Sequence, residues 1–486
     1  MLFNSLEFLI FFPVVLLLYY ALPHRARWPM LLIASYIFYM GWNAAYALLL
    51  LTSTLVTYLA SLLIEGSKSV KGKKIFLAGS LIINLGILFV FKYFDFFTSG
   101  LYSVLDLLKI SYTPVKSSLA LPVGISFYTF QALGYSIDVY RGDVKVQRNF
   151  GKYALFVSFF PQLVAGPIER SKNLLYQFDE VHRFNVSEAT SGLRLMLWGY
   201  FKKIVVADTI CVAVNNVYNN LESFDGPAIL LATFLFTMQI FCDFSGYSDI
   251  ARGCARIMGF RLMLNFDHPY FASNIQDFWR RWHISLSTWF KDYVYIPLGG
   301  NRKGEARRRL NLMITFLVSG LWHGADMTFV IWGGVHGLFQ VIGRILKKPR
   351  EKVYSLIRLD KVPRVHKVLS VLCTFLLVAF AWVFFRANNI SDAVYVFRHM
   401  FDFSPINYAY IYTELKAIFE TRAEVYRFVA VLPVFIIAEF VDYFKGINRL
   451  VNKCPQVVRC LLYVVIVVYI LLFARAEMQD FIYFQF

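Results

Sequence analysis

Three of the eight histidines lie in apolar stretches rich in tryptophan and glycine, where an imidazole could act as a base. His283 lies in FWRRWHISLSTWF, His323 in VSGLWHGAD and His336 in VIWGGVHGLF. An ionisable side chain inside an apolar segment is costly, so such residues are functional candidates by default. A neutral imidazole can take a proton from a hydroxyl as it attacks an acyl carbon, and return it to a leaving thiolate. Two or three such histidines together favour a functional site, with a structural histidine as the alternative at each position.

Charged residues near these histidines offer supporting roles. Asp243 and Asp249, in QIFCDFSGYSDIARG, could orient a histidine or balance its charge. Arg280 and Arg281, together with Lys291, could bind the phosphates of coenzyme A or of a phosphopantetheine carrier. The alternative for the basic residues is that they anchor a cytoplasmic loop at the membrane surface.

Other chemistries lack their motifs. The sequence contains no H-E-x-x-H zinc motif and no G-x-S-x-G nucleophile elbow. It also lacks a Walker loop and a G-x-G-x-x-G turn, so nucleotide-driven pumping is not expected. The six cysteines form no C-x-x-C pair and are interpreted as small buried apolar residues. We therefore predict neither a metal site nor a disulfide framework.

The composition indicates that these residues are positioned inside a membrane. Of the 486 residues, 58% are hydrophobic and 16% are charged, whereas soluble chains carry about 25% charged residues. The net charge of +18 is concentrated in short connections at 65–74, 301–309 and 344–367. That distribution follows the positive-inside pattern and places these loops in the cytoplasm. It favours membrane lipids or an anionic cytoplasmic donor as partners, and no nucleic acid.

Apolar stretches long enough to span a bilayer predict about ten or eleven crossings. The first is interpreted as a retained span, since it lacks the features of a cleaved signal peptide. The candidates are 6–22, 29–64 (two passes broken near Gly41), 75–98, 190–216, 227–250, 310–321, 327–346, 368–386, 425–445 and 457–476.

Three regions depart from simple spans. Residues 119–140 and 153–168 are apolar but broken by proline and glycine, which predicts re-entrant or interrupted helices lining a cavity, with ordinary proline-kinked spans as the alternative. Residues 251–309 alternate aromatic and charged residues, which predicts interfacial helices on the cytoplasmic side. Because no internal repeat or soluble segment interrupts the chain, we predict one all-α polytopic membrane domain over 1–486.

Several motifs closely resemble those of the membrane-bound O-acyltransferase (MBOAT) family, in its bacterial branch that acetylates polysaccharides such as alginate, cellulose or peptidoglycan. The resemblance covers FNSLEFLIFFPVVLLLYY, LPVGISFYTFQALGYSIDVYRG, FFPQLVAGPIER, FCDFSGYSDIARG, DFWRRWHISLSTWFKDYVYIPLGGNRKG, LVSGLWHGADMTFVIWGGVHG and the ending FIYFQF. It implies a ring of helices around a central tunnel that joins a cytoplasmic donor site to the extracytoplasmic face. It also implies that His323 is the catalytic histidine and that His283 occupies the second signature position.

The resemblance implies an O-acetyltransferase in the bacterial inner membrane. It would take acetyl from acetyl-CoA or another thioester, with no tightly bound cofactor, and pass it to an exported SGNH-type acetyltransferase that modifies an extracytoplasmic glycan. One alternative is a D-alanyl transferase of the same family, supplied by an acyl carrier protein and acting on teichoic acid. Another is a transporter or channel. Supporting or donor-binding roles are assigned to Arg280, Arg281, Trp282, Trp322, Tyr247, Asp249 and His336.

Overall fold

A computed structural model describes residues 1–117, 119–164, 166–404, 406–419, 421–474, 479 and 481–484. The described part is 78% helical and contains no strand, which confirms the predicted all-α class. Contacts divide it into two compact units. Unit 1 comprises Met1–Met196 and Ser248–Met263, and unit 2 comprises Leu197–Tyr247 and Leu264–Phe486. That the whole chain acts as one membrane domain stays a prediction.

Unit 1 contains the first ten helices, of which α10 ends in unit 2. The helices are α1 (Leu6–Ala21), α2 (His24–Met40), α3 (Tyr46–Gly66), α4 (Val70–Leu88), α5 (Phe94–Leu107), α6 (Ile125–Arg141), α7 (Phe150–Ser158), α8 (Phe160–Leu163), α9 (Ser171–Leu174) and α10 (Val186–Tyr200), with a π-helical turn at Phe89–Tyr93 and a 3₁₀ turn at Leu175–Asp179. The end of α12 also belongs to this unit.

Unit 2 contains the histidines of interest. Its helices are α11 (Asp208–Tyr218), α12 (Gly226–Ile257), α13 (Ile275–Arg281), α14 (Ile284–Phe290), α15 (Gly304–His323), α16 (Met327–Ile345), α17 (Lys347–Leu356), α18 (Pro363–Arg386), α19 (Ile390–His399), α20 (Tyr408–Ala417), α21 (Arg422–Lys445), α22 (Ile447–Lys453) and α23 (Gln456–Phe473). Shorter turns are π-helical at Phe201–Ala207 and Lys291–Tyr295, and 3₁₀ at Leu221–Ser223, Pro269–Phe271, Leu359–Lys361 and Ile482–Phe484.

Several helices are long and apolar enough to cross a bilayer, as expected of a multi-pass membrane protein. In the described residues five stretches qualify by length and composition, and the bent pair α16–α17 gives a sixth. The five are Tyr46–Gly66, Val70–Leu107, Gly226–Ile257, Pro363–Arg386 and Gln456–Phe473. The other predicted spans also form helices, but these are shorter or more charged, as in the 16-residue α1. The count of ten or eleven crossings therefore stays a prediction.

Of the two proline- and glycine-broken regions in unit 1, only the second forms an interrupted helix as predicted, whereas in the first Pro122 and Gly124 precede one continuous helix. Helix α6 starts only after Gly124, which has a φ of 74° and is followed by a helix with 14 buried residues. Helix α7 stops at Phe159, and Pro161 lies in the first turn of the separate helix α8. Because these ends are buried, their backbone groups are shielded from lipid by protein. Whether the segments are re-entrant stays a prediction.

Residues 251–309 are less uniform than predicted. The first seven of them continue α12 to Ile257, so this helix extends beyond the apolar stretch 227–250. After that come only short elements, namely the 3₁₀ turn Pro269–Phe271, α13, α14 and a π-helical turn, until α15 begins at Gly304. The short helices fit the predicted interfacial segment, and they place His283 in the junction between α13 and α14.

Candidate active site

His323 is the last residue of α15 and is enclosed by aromatic rings. Its side chain is 3% exposed. Its ring centroid lies 5.0 Å from Trp322, 4.9 Å from Trp332, 5.4 Å from Phe385 and 5.6 Å from Tyr483. These neighbours come from three helices and the C-terminal turn of unit 2. They exclude water from the imidazole, which strengthens electrostatic interactions within the site.

Close packing of α15 against α16 fixes the position of His323. A Cβ atom at Gly320 would lie 2.2 Å from the carbonyl oxygen of Phe329, and one at Gly333 would lie 2.3 Å from that of Phe316. Only glycine permits such backbone contact, which is typical of small residues at membrane helix interfaces. The connection between α15 and α16 is short. Asp326 caps α16 at its start, since its carboxylate accepts a hydrogen bond from the Thr328 amide at 2.7 Å. The glycine-rich sequence thus serves helix packing.

His283 has an unusual backbone conformation, with a φ of 42° in the left-handed region. Non-glycine residues there cost about 1–3 kcal/mol and concentrate at functional sites. Two backbone hydrogen bonds hold the junction, from the Ile284 amide to the Asn265 carbonyl at 2.9 Å and from the Asp267 amide to the Arg281 carbonyl at 3.0 Å. The strained residue is therefore held from both sides.

The side chain of Asn265 orients the His283 imidazole. Its Oδ1 accepts a hydrogen bond from the Ser285 hydroxyl at 2.7 Å and lies 3.3 Å from His283 Nδ1. Because an amide oxygen only accepts, Nδ1 must carry the proton, which leaves Nε2 as the accepting nitrogen. Burial lowers the pKa of His283 to about 3, so the ring is neutral at physiological pH. Asn265 could not be recognised from the sequence, because it lies 18 positions before His283 in a segment without regular secondary structure.

Tyr483 brings the C-terminal turn into contact with both histidines. Its ring centroid lies 5.6 Å from that of His323 and 6.5 Å from that of His283. Trp322 likewise contacts both imidazoles, at 5.0 Å and 6.2 Å. The two histidines therefore share one aromatic enclosure in unit 2. The FIYFQF ending contributed to the family resemblance, but the sequence analysis gave Tyr483 no role.

A buried ionic network anchors that turn. Lys203 Nζ lies 2.8 Å from carboxylate oxygens of both Asp208 and Asp243 and donates to the Gln479 carbonyl at 3.1 Å. The second oxygen of Asp243 accepts from the Ile482 amide at 2.7 Å. Asp243 thus holds the backbone beside Tyr483. Its predicted role in orienting a histidine stays untested by these contacts.

Tyr247 belongs to the same network. Its ring centroid lies 4.5 Å from that of Phe481 and 5.9 Å from Lys203 Nζ. Lys203 lies in the π-helical turn Phe201–Ala207, an irregularity that often marks functional sites. Tyr247 therefore packs against the C-terminal segment, and its predicted supporting role stays a prediction.

His336 lies in a separate aromatic cage on α16. The Trp279 indole donates to its Nδ1 at 3.3 Å, and its ring centroid lies 4.9 Å from that of Trp332. Trp332 also contacts His323, so one indole separates the two imidazoles. Trp282 joins this aromatic group by packing against Trp382 at 5.0 Å. These contacts place His336 and Trp282 behind the rings that enclose His323, where they can support its position.

The remaining predicted residues are charged, and two of them form ion pairs. Arg280 is exposed, whereas Arg281 pairs with Asp277 at 3.1 Å and donates to the Asp267 carbonyl at 3.3 Å. Asp249 lies in unit 1 and pairs with Arg252 at 3.2 Å. The charge of Arg281 is therefore partly balanced within its own helix. Donor-binding and supporting roles for these residues stay predictions.

The enclosure suits proton transfer by an imidazole. Two buried histidines, one of them oriented by an amide, lie beside the phenol of Tyr483 in an environment made mainly of rings. Across the described positions, no group of three or more histidine, cysteine or acidic side chains could hold a metal ion. Two imidazoles and a phenol can supply general acid–base catalysis.

Comparisons with known proteins agree with the motifs. A family model described as MBOAT, membrane-bound O-acyltransferase family, matches residues 144–353. "Probable alginate O-acetylase AlgI" of Pseudomonas aeruginosa is 40% identical over 408 residues, which covers 83% of this chain and 75% of that protein. "Peptidoglycan O-acetyltransferase" of Helicobacter pylori is 35% identical over 446 residues, with coverages of 85% and 82%. "Teichoic acid D-alanyltransferase" of Bacillus subtilis is 28% identical over 281 residues, with coverages of 55% and 69%.

The predicted family is thus confirmed, because relatives above 30% identity match this chain over most of both lengths. The family model includes both His283 and His323. Together with the helical fold, these matches establish that the chain is a multi-pass membrane enzyme of the membrane-bound O-acyltransferase family.

Proposed function

We propose that the protein takes acetyl from a cytoplasmic thioester, acetyl-CoA, and passes it across the inner membrane for O-acetylation of an extracytoplasmic polysaccharide. The observation that supports this most directly is the water-excluding enclosure of His323 and the neutral His283. The names of the relatives, which act on alginate and peptidoglycan, support the class of acceptor.

In the proposed reaction His323 is the general base. A hydroxyl group in the site gives its proton to the imidazole as its oxygen attacks the thioester carbon. The carbon–sulfur bond then breaks, and the imidazolium returns the proton to the leaving sulfur. The products are an O-acetyl ester and the free thiol of the donor, so no oxidant or metal is required. Positioned general acid–base catalysis of this kind contributes about 10²–10⁴-fold to a rate.

His283 would position the reactants. Since Asn265 fixes the proton on Nδ1, Nε2 can accept a hydrogen bond from an attacking hydroxyl. His283 is held rigidly at a strained position, so small movements of the imidazole are restricted. Rigid placement matters because misplacement by about 1 Å can cost on the order of 100-fold in rate.

The donor is proposed to enter from the basic, cytoplasmic side. The connections at 301–309 and 344–367 carry most of the local positive charge, which the positive-inside rule assigns to the cytoplasm. Arg280 and Arg281 are the proposed contacts for the phosphates of the donor. The acetyl group would then leave on the opposite face, to an exported SGNH-type acetyltransferase that modifies the glycan.

A D-alanyl transferase is the weaker candidate. The teichoic acid D-alanyltransferase of Bacillus subtilis is less similar, at 28% identity against 35–40% for the acetyltransferase relatives, and it matches a shorter part of this chain. The two cargoes are distinguishable by the donor, because the D-alanyl route requires an acyl carrier protein. Thiol release from acetyl-CoA by the purified enzyme would support the acetyl route.

The substitution His323→Gln tests the proposed base. We expect it to abolish acetylation of surface glycans, measured by mass spectrometry, while leaving expression and membrane insertion unchanged. His399→Gln is the matched control, because His399 stacks on Tyr395 at the end of α19 and has no proposed role. Wild-type acetylation by His323→Gln would refute the assignment. Loss of acetylation in both variants would show that the effect is not specific to His323.

A further inference from the structure

Unit 2 contains a cavity of about 690 Å³ that is not part of the histidine enclosure. Its walls are formed by α12, by the turn Pro269–Phe271 and by the facing sides of α18 and α21. Phe241 and Tyr270 form part of its inner wall and contact Trp282, at 6.3 Å and 6.0 Å. The cavity therefore lies behind the aromatic group that supports His323, on the side away from the imidazole.

One face of α18 gives the cavity an amphipathic character. Arg364, Lys367, Val371 and Phe375 all line it, and they recur every three or four residues. The lining begins with two cations and continues as apolar residues over about 16 Å of helix, at 1.5 Å per residue. A ligand that fits this face has one charged end and an apolar body.

The charges at the cationic end favour an anion. Glu439 also lines the cavity, but its carboxylate lies 3.2 Å from Nδ1 of His268, and Asp442 lies 3.5 Å from Nε2 of the same ring. The hydrogen bond with Glu439 raises the pKa of His268, which favours a charged imidazole between these two acids. A charged His268 offsets one of the acids, and Arg364 and Lys367 exceed the other by one positive charge, at the positive end of the α18 dipole.

The apolar end is accessible from the side of the helices. Leu372 is 51% exposed and Ile436 is 38% exposed, although both line the cavity. On a helix that is long and apolar enough to span a bilayer, exposed apolar side chains face lipid. The apolar part of the cavity is therefore open to the hydrocarbon region, while its basic end follows the positively charged connection 344–367.

We propose that this cavity binds an anionic phospholipid, with the phosphate between Arg364 and Lys367 and an acyl chain along the apolar face of α18. Basic pockets between membrane helices on the cytoplasmic side bind anionic headgroups in this way. Lipid bound here packs against Phe241 and Tyr270, which in turn contact Trp282. The proposal is independent of the acyl-transfer reaction, because its ligand and its residues differ from those of the proposed reaction.

Native mass spectrometry of the purified full-length protein tests the site. The protein is delipidated in detergent and titrated with phosphatidylglycerol or with zwitterionic phosphatidylcholine of the same chains. We expect retained phosphatidylglycerol adducts, and an affinity about 30-fold lower in the double variant Arg364→Gln/Lys367→Gln. The control, Lys348→Gln/Arg350→Gln, removes the same charge from exposed residues that do not line the cavity.

The outcomes separate the sources of the anion. Competition by inorganic phosphate at concentrations equal to the lipid would indicate a site for a soluble anion and overturn the proposal. Equal binding of phosphatidylcholine, or equal losses in the two double variants, would also overturn it. Val371→Trp fills the apolar part without removing a charge, so it provides a second test if the arginine–lysine variant does not fold. We expect Val371→Trp to lose the adduct, and wild-type binding by this variant would contradict the proposal.

Discussion

The substitution Asp243→Asn should show whether the position of the C-terminal turn affects acyl transfer beyond any effect on the stability of the protein. In the native structure one carboxylate oxygen of Asp243 contacts Lys203 Nζ at 2.8 Å, and the other accepts from the Ile482 amide at 2.7 Å. An asparagine has the same shape but only one accepting oxygen. Whichever way the amide turns, either the contact to Lys203 or the one to Ile482 is lost.

The magnitude follows from the type of contact. A hydrogen bond involving a charged group contributes about 1.5–3 kcal/mol. The side chains of Asp243 and Lys203 are 3% and 1% exposed, so solvent screening is weak. Asp208 still pairs with Lys203 after the substitution, which avoids the larger cost of leaving a buried charge unpaired. A loss of about 2 kcal/mol lowers the docking equilibrium of the turn about 30-fold.

Two quantities are measured. The first is the rate of thioester cleavage in the presence of the glycan acceptor system, and the second is the Tm of the protein in detergent. Asp208→Asn is the matched control, since Asp208 pairs with Lys203 from α11 and does not supply the acceptor for the Ile482 amide. We expect both variants to lower Tm by similar amounts. Asp243→Asn should in addition reduce acyl transfer at least tenfold, because Tyr483 is displaced from the two imidazoles.

Two results would refute this reasoning. Wild-type activity of Asp243→Asn would show that the position of Tyr483 does not matter to the reaction. Equal activity losses in the Asp243 and Asp208 variants would show that the network acts only through general stability. Tyr483→Phe keeps the ring and removes the hydroxyl, so it distinguishes loss of the phenol from loss of packing.

Three further predictions concern the framework around the histidines. Asn265→Asp places a carboxylate 3.3 Å from His283 Nδ1; it should raise the pKa of that imidazole and lower activity at neutral pH, as measured by a pH–rate profile. Burial lowers the pKa of His283 from 6.5 to about 3, so the folded chain binds fewer protons than the unfolded chain between these values. The stability that depends on a neutral His283 is complete above pH 6.5 and is lost as the pH falls toward 3. The substitution His283→Asn should therefore flatten the dependence of Tm on pH between these values. Gly333→Ala should destabilise the protein by about 1–3 kcal/mol, because its Cβ would lie 2.3 Å from the Phe316 carbonyl oxygen. Gly334→Ala is the control. Its Cβ would lie no closer than 3.5 Å to another side chain, so this variant should unfold at the wild-type Tm.

Much of the fold was predictable because apolar length and helix breakers are local properties of the sequence. The break near Gly41 separates α2 from α3 as predicted, and the predicted break within 153–168 separates α7 from α8. The end of α12 was not predictable in this way. Residues 251–257 include two arginines, and the helix continues through them because the other five are buried in unit 1. That burial depends on tertiary contacts that a local pattern does not contain.

The site was predictable only in part, for a related reason. His283 and His323 were identified from their apolar, tryptophan-rich surroundings, and the structure places them in one enclosure. Asn265 and Lys203 were missed because their function depends on partners far along the chain. The contact between Lys203 and the carbonyl of Gln479 joins residues 276 positions apart. No spacing rule connects such positions.

The choice of an amide as the partner of His283 has a chemical consequence. A carboxylate at that position would stabilise the imidazolium and favour a permanently charged ring in a buried site. Asn265 instead fixes the tautomer through a neutral oxygen that Ser285 also engages, at 2.7 Å. Such an imidazole is oriented without being made strongly basic. That suits the proposed positioning role of His283, because a neutral ring protonated at Nδ1 can accept a hydrogen bond at Nε2 from the attacking hydroxyl. A charged ring would carry a proton on both nitrogens and could not accept that hydrogen bond, so neutral orientation is the arrangement expected of a residue that positions the hydroxyl.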